Sequence, residues 1–172
     1  MGNGRTIFVI GPAASGKSHY VATFPAGTRV VDLYDFQDGS EHGADDIMRT
    51  YEACRDALAA EIRERAEAKS DYDIVLEHTL LMARRRPMYV DAARDAGAGD
   101  IECMYALPTE GQMYALMSMR LGVPVEAVAM MYSGYVKAAL ETFEIPTTEE
   151  GFSSVGRIPC AVPDILAGGR GD

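Results

Sequence analysis

At 172 residues, 48% of them hydrophobic, the chain is long enough to bury a core of its own and is most simply one domain, residues 1–172. A formal net charge of -10 argues against a general basic coat for nucleic acid, while leaving room for a local basic groove. Cys54, Cys103 and Cys160 are too scattered for a disulfide framework or a C-x-x-C metal site. With no basic-then-apolar leader and no run as long as a membrane span, a soluble cytoplasmic protein that contacts no membrane is expected.

The first element in the chain is an apolar strand, "TIFVIG" at 6–11, which runs straight into a glycine loop and a helix at 17–23. Gly11, Gly16, Lys17 and Ser18 complete the pattern G-x-x-x-x-G-K-[ST]. Gly11 lets the chain turn off the strand, and Gly16 lets the backbone approach an anion with no Cβ in the way. The N–H groups of residues 14–18 would point at that anion from the first turn of a helix, where the macrodipole favours negative charge. Lys17 is placed to reach β- and γ-phosphates, and the Ser18 hydroxyl to meet a magnesium ion. The expected contacts of a nucleoside triphosphate, ATP or GTP, are therefore Gly11, Ala13, Ala14, Ser15, Gly16, Lys17, Ser18 and His19.

A second strand, "TRVVDL" at 28–33, leads into Asp32 and Asp35. Either carboxylate could take the proton of an attacking hydroxyl, and either could instead be a solvated loop group or a helix cap. The longest helix spans 45–69, with Ile47, Tyr51, Cys54, Leu58 and Ile62 on one stripe. The third strand, "DIVLEHT" at 73–79, delivers Glu77, a residue placed to hold magnesium directly or through water. His78 is a candidate substrate contact, set against the commoner role of a hydrogen-bonded structural histidine. His19, His42 and His78 have no ligand spacing to one another. The run Arg84–Arg86 is the densest positive charge, and Arg94 follows on a helix at 85–96. These arginines could receive substrate phosphates or a nucleic-acid backbone, or form a solvated helix face.

A fourth strand, "DIECMYAL" at 100–107, precedes helices at 110–121 and 124–142. Pro124 suits a first helical turn, and Val125, Val128, Tyr132, Tyr135 and Ala139 recur at helical spacing. Arg120 lies between these helices, so the hairpin over about 110–128 could close as a lid and carry it to a transferring phosphoryl group. Met113, Met117, Met119, Met130 and Met131 read as packing. A last strand, "FSSVGRI", spans 152–158, and the Gly-rich tail at 165–172 is expected to fray. The second, third and fourth strands lack clean alternation, which suits burial on both faces. Strands alternating with helices give an α/β fold, a three-layer sandwich around a mainly parallel five-stranded sheet with a small helical lid. Ligands of such sheets bind at the carboxyl ends of the strands, where Gly11, Asp32, Asp35, Glu77 and Thr79 gather.

The segments "GPAASGKS", "VVDLYDF", "VLEHTLLMARRRPMYVDAARDAG", "LGVPVEAVAMMY" and "EIPTTEEGF" together resemble the polynucleotide-kinase-like and zeta-toxin-like P-loop kinases, from about residue 5 to 158. That family includes phage kinases acting on hydroxymethylated DNA bases. The resemblance implies the P-loop NTPase fold and a magnesium- and ATP-dependent phosphotransferase with an alcohol group as acceptor. It implies a base among the strand-two aspartates, Asp35 or Asp32. It further implies substrate contacts from Glu77, His78, Thr79, Arg84 and Arg85, a lid arginine at Arg120, and an adenine site near "EIPTTEEGF". Two departures stand out. Gln37 occupies the region where an arginine usually follows the aspartates, and residues 113–119 carry no arginine, leaving Arg120 with Arg157 as a second candidate cation. The acceptor implied is a nucleic-acid or nucleotide hydroxyl, at a 5′ end or on a hydroxymethylated base. The alternatives are a small-molecule hydroxyl (sugar, nucleotide-sugar or antibiotic) and, in another class, an acceptor-less ATPase switch. A phage origin would place the chain in the host cytoplasm; the sequence leaves the oligomeric state open.

Overall fold

In the computed structural model, which describes residues 4–37, 39 and 43–164, five strands line up in the order β2-β3-β1-β4-β5. They are β1 (Thr6–Ile10), β2 (Arg29–Asp32), β3 (Ile74–His78), β4 (Ile101–Tyr105) and β5 (Ser154–Arg157), and every neighbouring pair is parallel. Between them run α1 (Lys17–Val21), α2 (Ala44–Glu67), α3 (Pro87–Asp95), α4 (Glu110–Leu121) and α5 (Val125–Thr142). The tail at 165–172 lies outside the described residues. No helix among the described residues is long and apolar enough to cross a membrane.

The apolar runs form central strands because both faces of the sheet are covered. On one face Phe8, Ile10, Leu76 and Ile101 pack with Cys54, Leu58 and Ile62 of α2 and Tyr89, Val90 and Ala93 of α3. On the other, Ile7, Val9 and Val75 pack under Tyr20, Val21 and Phe24. β1 and β3 are buried along their whole lengths, each large apolar side chain contributing about 1.5–3 kcal/mol. β2 departs from the expectation of burial on both faces. It is an edge strand, so only Val31 is fully buried and Val30 is 43% exposed. Two helical stripes are also shorter than their periodicity suggested. Ile47 is 47% exposed because it sits in the first turn of α2, before that helix reaches the sheet, and Tyr135 is exposed as well.

The α4–α5 hairpin is set by local chemistry. Thr109 and Gln112 form a reciprocal capping box at the start of α4, and Gly122, at φ 67, ends it in the left-handed conformation that glycine tolerates. The Ser118 hydroxyl then donates to the Val123 carbonyl across the turn, 2.5 Å away. Met113, Tyr114, Met117, Val128 and Val136 close a small core of their own, against which Ala14 of the glycine loop packs. The loop and the hairpin are thereby joined.

Candidate active site

The glycine loop leaves β1 at Gly11, whose φ of 151 and close approach to Ala106 admit no side chain: a Cβ there would lie 2.4 Å from the Ala106 carbonyl oxygen. Gly16, at φ 92, caps α1 in a conformation that would strain any other residue. Between them Ala14 adopts a left-handed turn at φ 58. Lys17 folds back into the loop. It is 4% exposed, and its Nζ donates to the carbonyls of Gly11 (3.0 Å) and Pro12 (2.7 Å). Burial pulls its ammonium down to about 8, against the opposing charges of Glu77 and Asp32.

Sheet register brings the acidic side to the same place. Asp32 of β2 pairs with Glu77 of β3, and Glu77 with Val9 of β1, so both carboxylates emerge on the face that carries the loop. The Ser18 hydroxyl donates to Glu77 Oε1 at 2.5 Å. Burial raises the Glu77 carboxyl above its ordinary value, the Ser18 hydrogen bond opposing and Asp32 reinforcing the shift. Asp32 Oδ1 accepts the Tyr34 N–H at 3.0 Å, which fixes the carboxylate at the head of the short 3-10 turn Leu33–Phe36. These groups surround a cavity of about 500 Å³ that also takes in Ser15, His19, Tyr34 and, from α4, Leu116 and Arg120.

A larger cavity, about 640 Å³, opens at the opposite end of the sheet beside Arg65, Lys69 and Asp100. Its wall takes in the last turns of α2 and the loop residues Gly97 and Gly99, and no residue from the start of a helix, where backbone N–H groups would hold an anion. The loop end is the candidate site.

The residues singled out in the sequence divide sharply. Ala14, Ser15, Gly16, Lys17, Ser18, His19, Asp32, Glu77 and Arg120 share the cavity wall. Gly11 and Thr79 stand beneath the loop, the Gly11 N–H donating to the Thr79 carbonyl at 3.2 Å, and Ala13 is half-buried within it. Asp35 is exposed on the turn beyond Asp32. Arg84 is exposed, and Arg85 is half-buried with its guanidinium at 2.8 Å from the Met48 sulfur. Arg157, the last residue of β5, donates to the Leu107 carbonyl at 2.6 Å.

Three expectations need correcting. His78 sits in the core, not the groove: the pleat turns it away from Glu77. Its Nδ1 accepts the Leu80 N–H (3.1 Å), and its Nε2 meets the Tyr89 hydroxyl (2.8 Å) between the rings of Tyr51 and Tyr89. Arg86 leaves the basic run altogether. Fully buried, it pairs with Glu150 at 2.9 Å and donates to the carbonyls of Leu80, Leu81 and Glu144, so it clasps two loops together. Arg94 donates to the Gly151 carbonyl at 2.6 Å and belongs to the same clasp. The residues that the sequence did not single out and the structure brings to the cavity wall are Tyr34 and Leu116.

The donor set fits a phosphate-bearing nucleotide. The loop has no Cβ at Gly11, where its backbone packs against Ala106, or at Gly16, where the space is open, a buried lysine crosses it, and the Ser15 hydroxyl is buried without a hydrogen-bond partner. Ser18 and Glu77 offer the hard oxygens that magnesium takes, one or two from protein being usual.

No curated protein matches the chain in sequence. Its fold is similar to several solved structures. One is a gluconokinase from Sinorhizobium meliloti 1021, at 20% identity and a TM-score of 0.64 over 95% of this chain and 86% of that one. A second is a tunicamycin resistance protein from Deinococcus radiodurans, at 16% identity and 0.53 over 81% and 80%. A third is a chain of the Pnkp1/Rnl/Hen1 RNA repair complex, at 15% identity and 0.57 over 96% of this chain and 51% of that one. At these identities the likeness is one of fold, and the fold is the P-loop NTPase α/β fold. Residues 7–121, more than half of the chain and spanning the loop, both carboxylate strands and Arg120, match the AAA domain family, and the chain belongs to that family.

Proposed function

We propose that the chain is a magnesium-dependent phosphotransferase that moves the γ-phosphoryl group of ATP or GTP to a hydroxyl, the acceptor being a nucleotide or nucleic-acid hydroxyl. The observation that carries this reading is the convergence on one cavity of Lys17, the Ser18–Glu77 pair, Asp32 and Arg120, drawn from β2, β3, α1 and α4. Backbone N–H groups at the start of α1 and the Lys17 ammonium hold the phosphates. Ser18 and Glu77 are the residues that would hold magnesium, which when bound neutralises charge on the phosphate oxygens. Asp32 is the better placed of the two candidate bases, since it lines the cavity and Asp35 does not. In the transfer, the acceptor oxygen bonds to the γ-phosphorus, the bond to the departing diphosphate oxygen breaks, and the hydroxyl proton passes to the Asp32 carboxylate. Arg120, brought by the hairpin, offsets charge on the transferring group.

A small-molecule acceptor is the second reading, and the burial of Arg86 favours it: with that guanidinium tied to Glu150, the basic run leaves only Arg84 fully exposed for a polynucleotide backbone. γ-Labelled ATP incubated with a panel of nucleotides, single- and double-stranded DNA with and without hydroxymethylated bases, RNA ends and sugars separates these readings. Label on a nucleotide or nucleic acid supports the first, label on a sugar alone supports the second. Label released only to water leaves an ATPase without an acceptor and sinks both.

A further inference from the structure

Aromatic rings in the layers around the sheet are engaged by the protein itself: Tyr51 and Tyr89 hold His78 between them, and Tyr105 stacks on Phe143. Tyr34 is not. It is 42% exposed on the wall of the loop cavity. Among the described residues its ring has no stacking or cation–π partner, and its hydroxyl has no hydrogen bond. What fixes Tyr34 is its backbone. Its N–H donates to Asp32 Oδ1 at 3.0 Å, so its Cα stands no more than about 4.5 Å from that oxygen. The candidate base and the ring are thus carried on one short turn, two residues apart. From the hairpin, α4 adds Leu116 to the same wall, one helical turn before Arg120. Tyr34 and Leu116 are the large apolar side chains of a wall otherwise made of the glycine loop, polar groups and charge.

An acceptor hydroxyl that gives its proton to Asp32 must come within hydrogen-bond reach of that carboxylate. The atoms next to the hydroxyl are then neighbours of the Tyr34 side chain. We infer that Tyr34 is a specificity-determining platform for the acceptor, and that the acceptor is a ring-bearing alcohol whose hydroxyl stands one carbon from a base or sugar ring. This rests on the phosphotransferase reading above and adds to it the class of acceptor. The π-face of a base stacks on a tyrosine ring whatever the base, and the C–H face of a sugar packs on the same surface. An open-chain polyol has no such face, and it loses more conformational freedom on being held. Leu116 supplies apolar surface to the same cavity from the hairpin, so a ring there is met from two elements.

The test has two arms. On the parent protein, phosphate transfer from ATP is measured to a 5-hydroxymethyl-2′-deoxycytidine nucleotide, a nucleoside 3′-monophosphate with a free 5′ hydroxyl, glucose, and the open-chain polyols gluconate and glycerol. On Tyr34→Phe and Tyr34→Leu, both of which keep the N–H that holds Asp32, the KM values for the accepted compound and for ATP are then compared with those of the parent. Stacking of a ring on an aromatic side chain corresponds to about a 5- to 100-fold change in binding. The expected result is transfer to ring-bearing acceptors and not to the polyols. Tyr34→Leu should raise the acceptor KM by that factor at an unchanged ATP KM, and Tyr34→Phe, which keeps the ring, should leave both unchanged. Transfer to the hydroxymethylated base alone names a base as the ring, and transfer to the 5′ hydroxyl or to glucose names a sugar. Polyols accepted as well as rings, a Leu variant with the parent's acceptor KM, a Phe variant as impaired as the Leu variant, or a rise in the ATP KM instead overturns the proposal and leaves the phosphotransferase reading standing. Phosphate released only to water overturns both.

Discussion

Glu77 and His78 are consecutive residues at the end of the same strand, and they inhabit different molecules in all but name. Glu77 emerges on the loop face, against the Ser18 hydroxyl and beside Asp32. His78 emerges on the opposite face, its ring sealed between Tyr51 and Tyr89 with both nitrogens engaged. Leu80 donates to Nδ1, so the proton of the neutral ring is on Nε2 and runs to Tyr89, whose hydroxyl in turn donates to the Tyr51 carbonyl. A polar residue at a strand end is therefore not yet a functional residue. The pleat decides which layer it serves: one face is built for charge and the other is built to exclude it.

If that division is right, substitutions on the loop face should change chemistry and leave stability nearly untouched. The largest effect belongs to the base. Asp32→Asn keeps the Oδ1 that caps Tyr34 but cannot take a proton, so turnover should fall by about 10²–10⁴ with little change in nucleotide affinity or melting temperature. Asp35→Asn, on the exposed turn, should be mild in the same assay; a severe Asp35 variant beside a mild Asp32 variant would exchange their roles. Next comes Lys17→Ala, expected to cost about 10²–10³ in turnover, because the transferring group loses a buried cation. Near-normal turnover in that variant would remove the phosphate cradle from the account.

The core face should behave in the opposite way. His78→Ala leaves the Leu80 N–H without an acceptor and opens space beneath Tyr51 and Tyr89, a cost of about 3–5 kcal/mol in unfolding free energy. Its turnover, measured well below the lowered melting temperature, should match the parent. A variant that folds as tightly as the parent but has lost turnover would move His78 back into the groove and undo the comparison.

Much of this was legible in the sequence. The order of elements, the parallel sheet and the loop at Gly11–Ser18 followed from local signals: apolar runs, helical stripes, a glycine pattern with a known mechanical purpose. What stayed hidden depends on phase and on distant partners. A strand buried on both faces has no polar–apolar alternation to reveal which way Glu77 or His78 points. The basic run Arg84–Arg86 reads as one positive patch, yet Arg86 is neutralised by Glu150, whose approach is set by the turn before β5. β2 reads like the other strands because edge position is a property of the whole sheet.

The smallest effect, and the sharpest test of the sealed face, is the response of stability to mild acid. Burial first, and the nearby Lys17 charge second, hold the His78 imidazole at about 3, against an ordinary value near 6.5. As pH falls through 6.5 the unfolded chain binds a proton on this ring and the folded chain does not. The unfolded state then holds more protons, so folding stability declines by at most about 1.4 kcal/mol per pH unit until the pH nears 3. Glu77 works against this trend, since its raised carboxyl takes up a proton in the folded state before it does in the unfolded one. Comparing two proteins that share Glu77 cancels that contribution. His78→Gln offers both an acceptor and a donor and has nothing to titrate, so its stability should change little between pH 7 and 5 apart from this shared background. Denaturant unfolding at the two pH values should show the parent losing about 2 kcal/mol more than the Gln variant. Parallel curves for the two proteins would mean that His78 gains its proton in the folded state as easily as in the unfolded one, and that the layer behind β3 is not sealed.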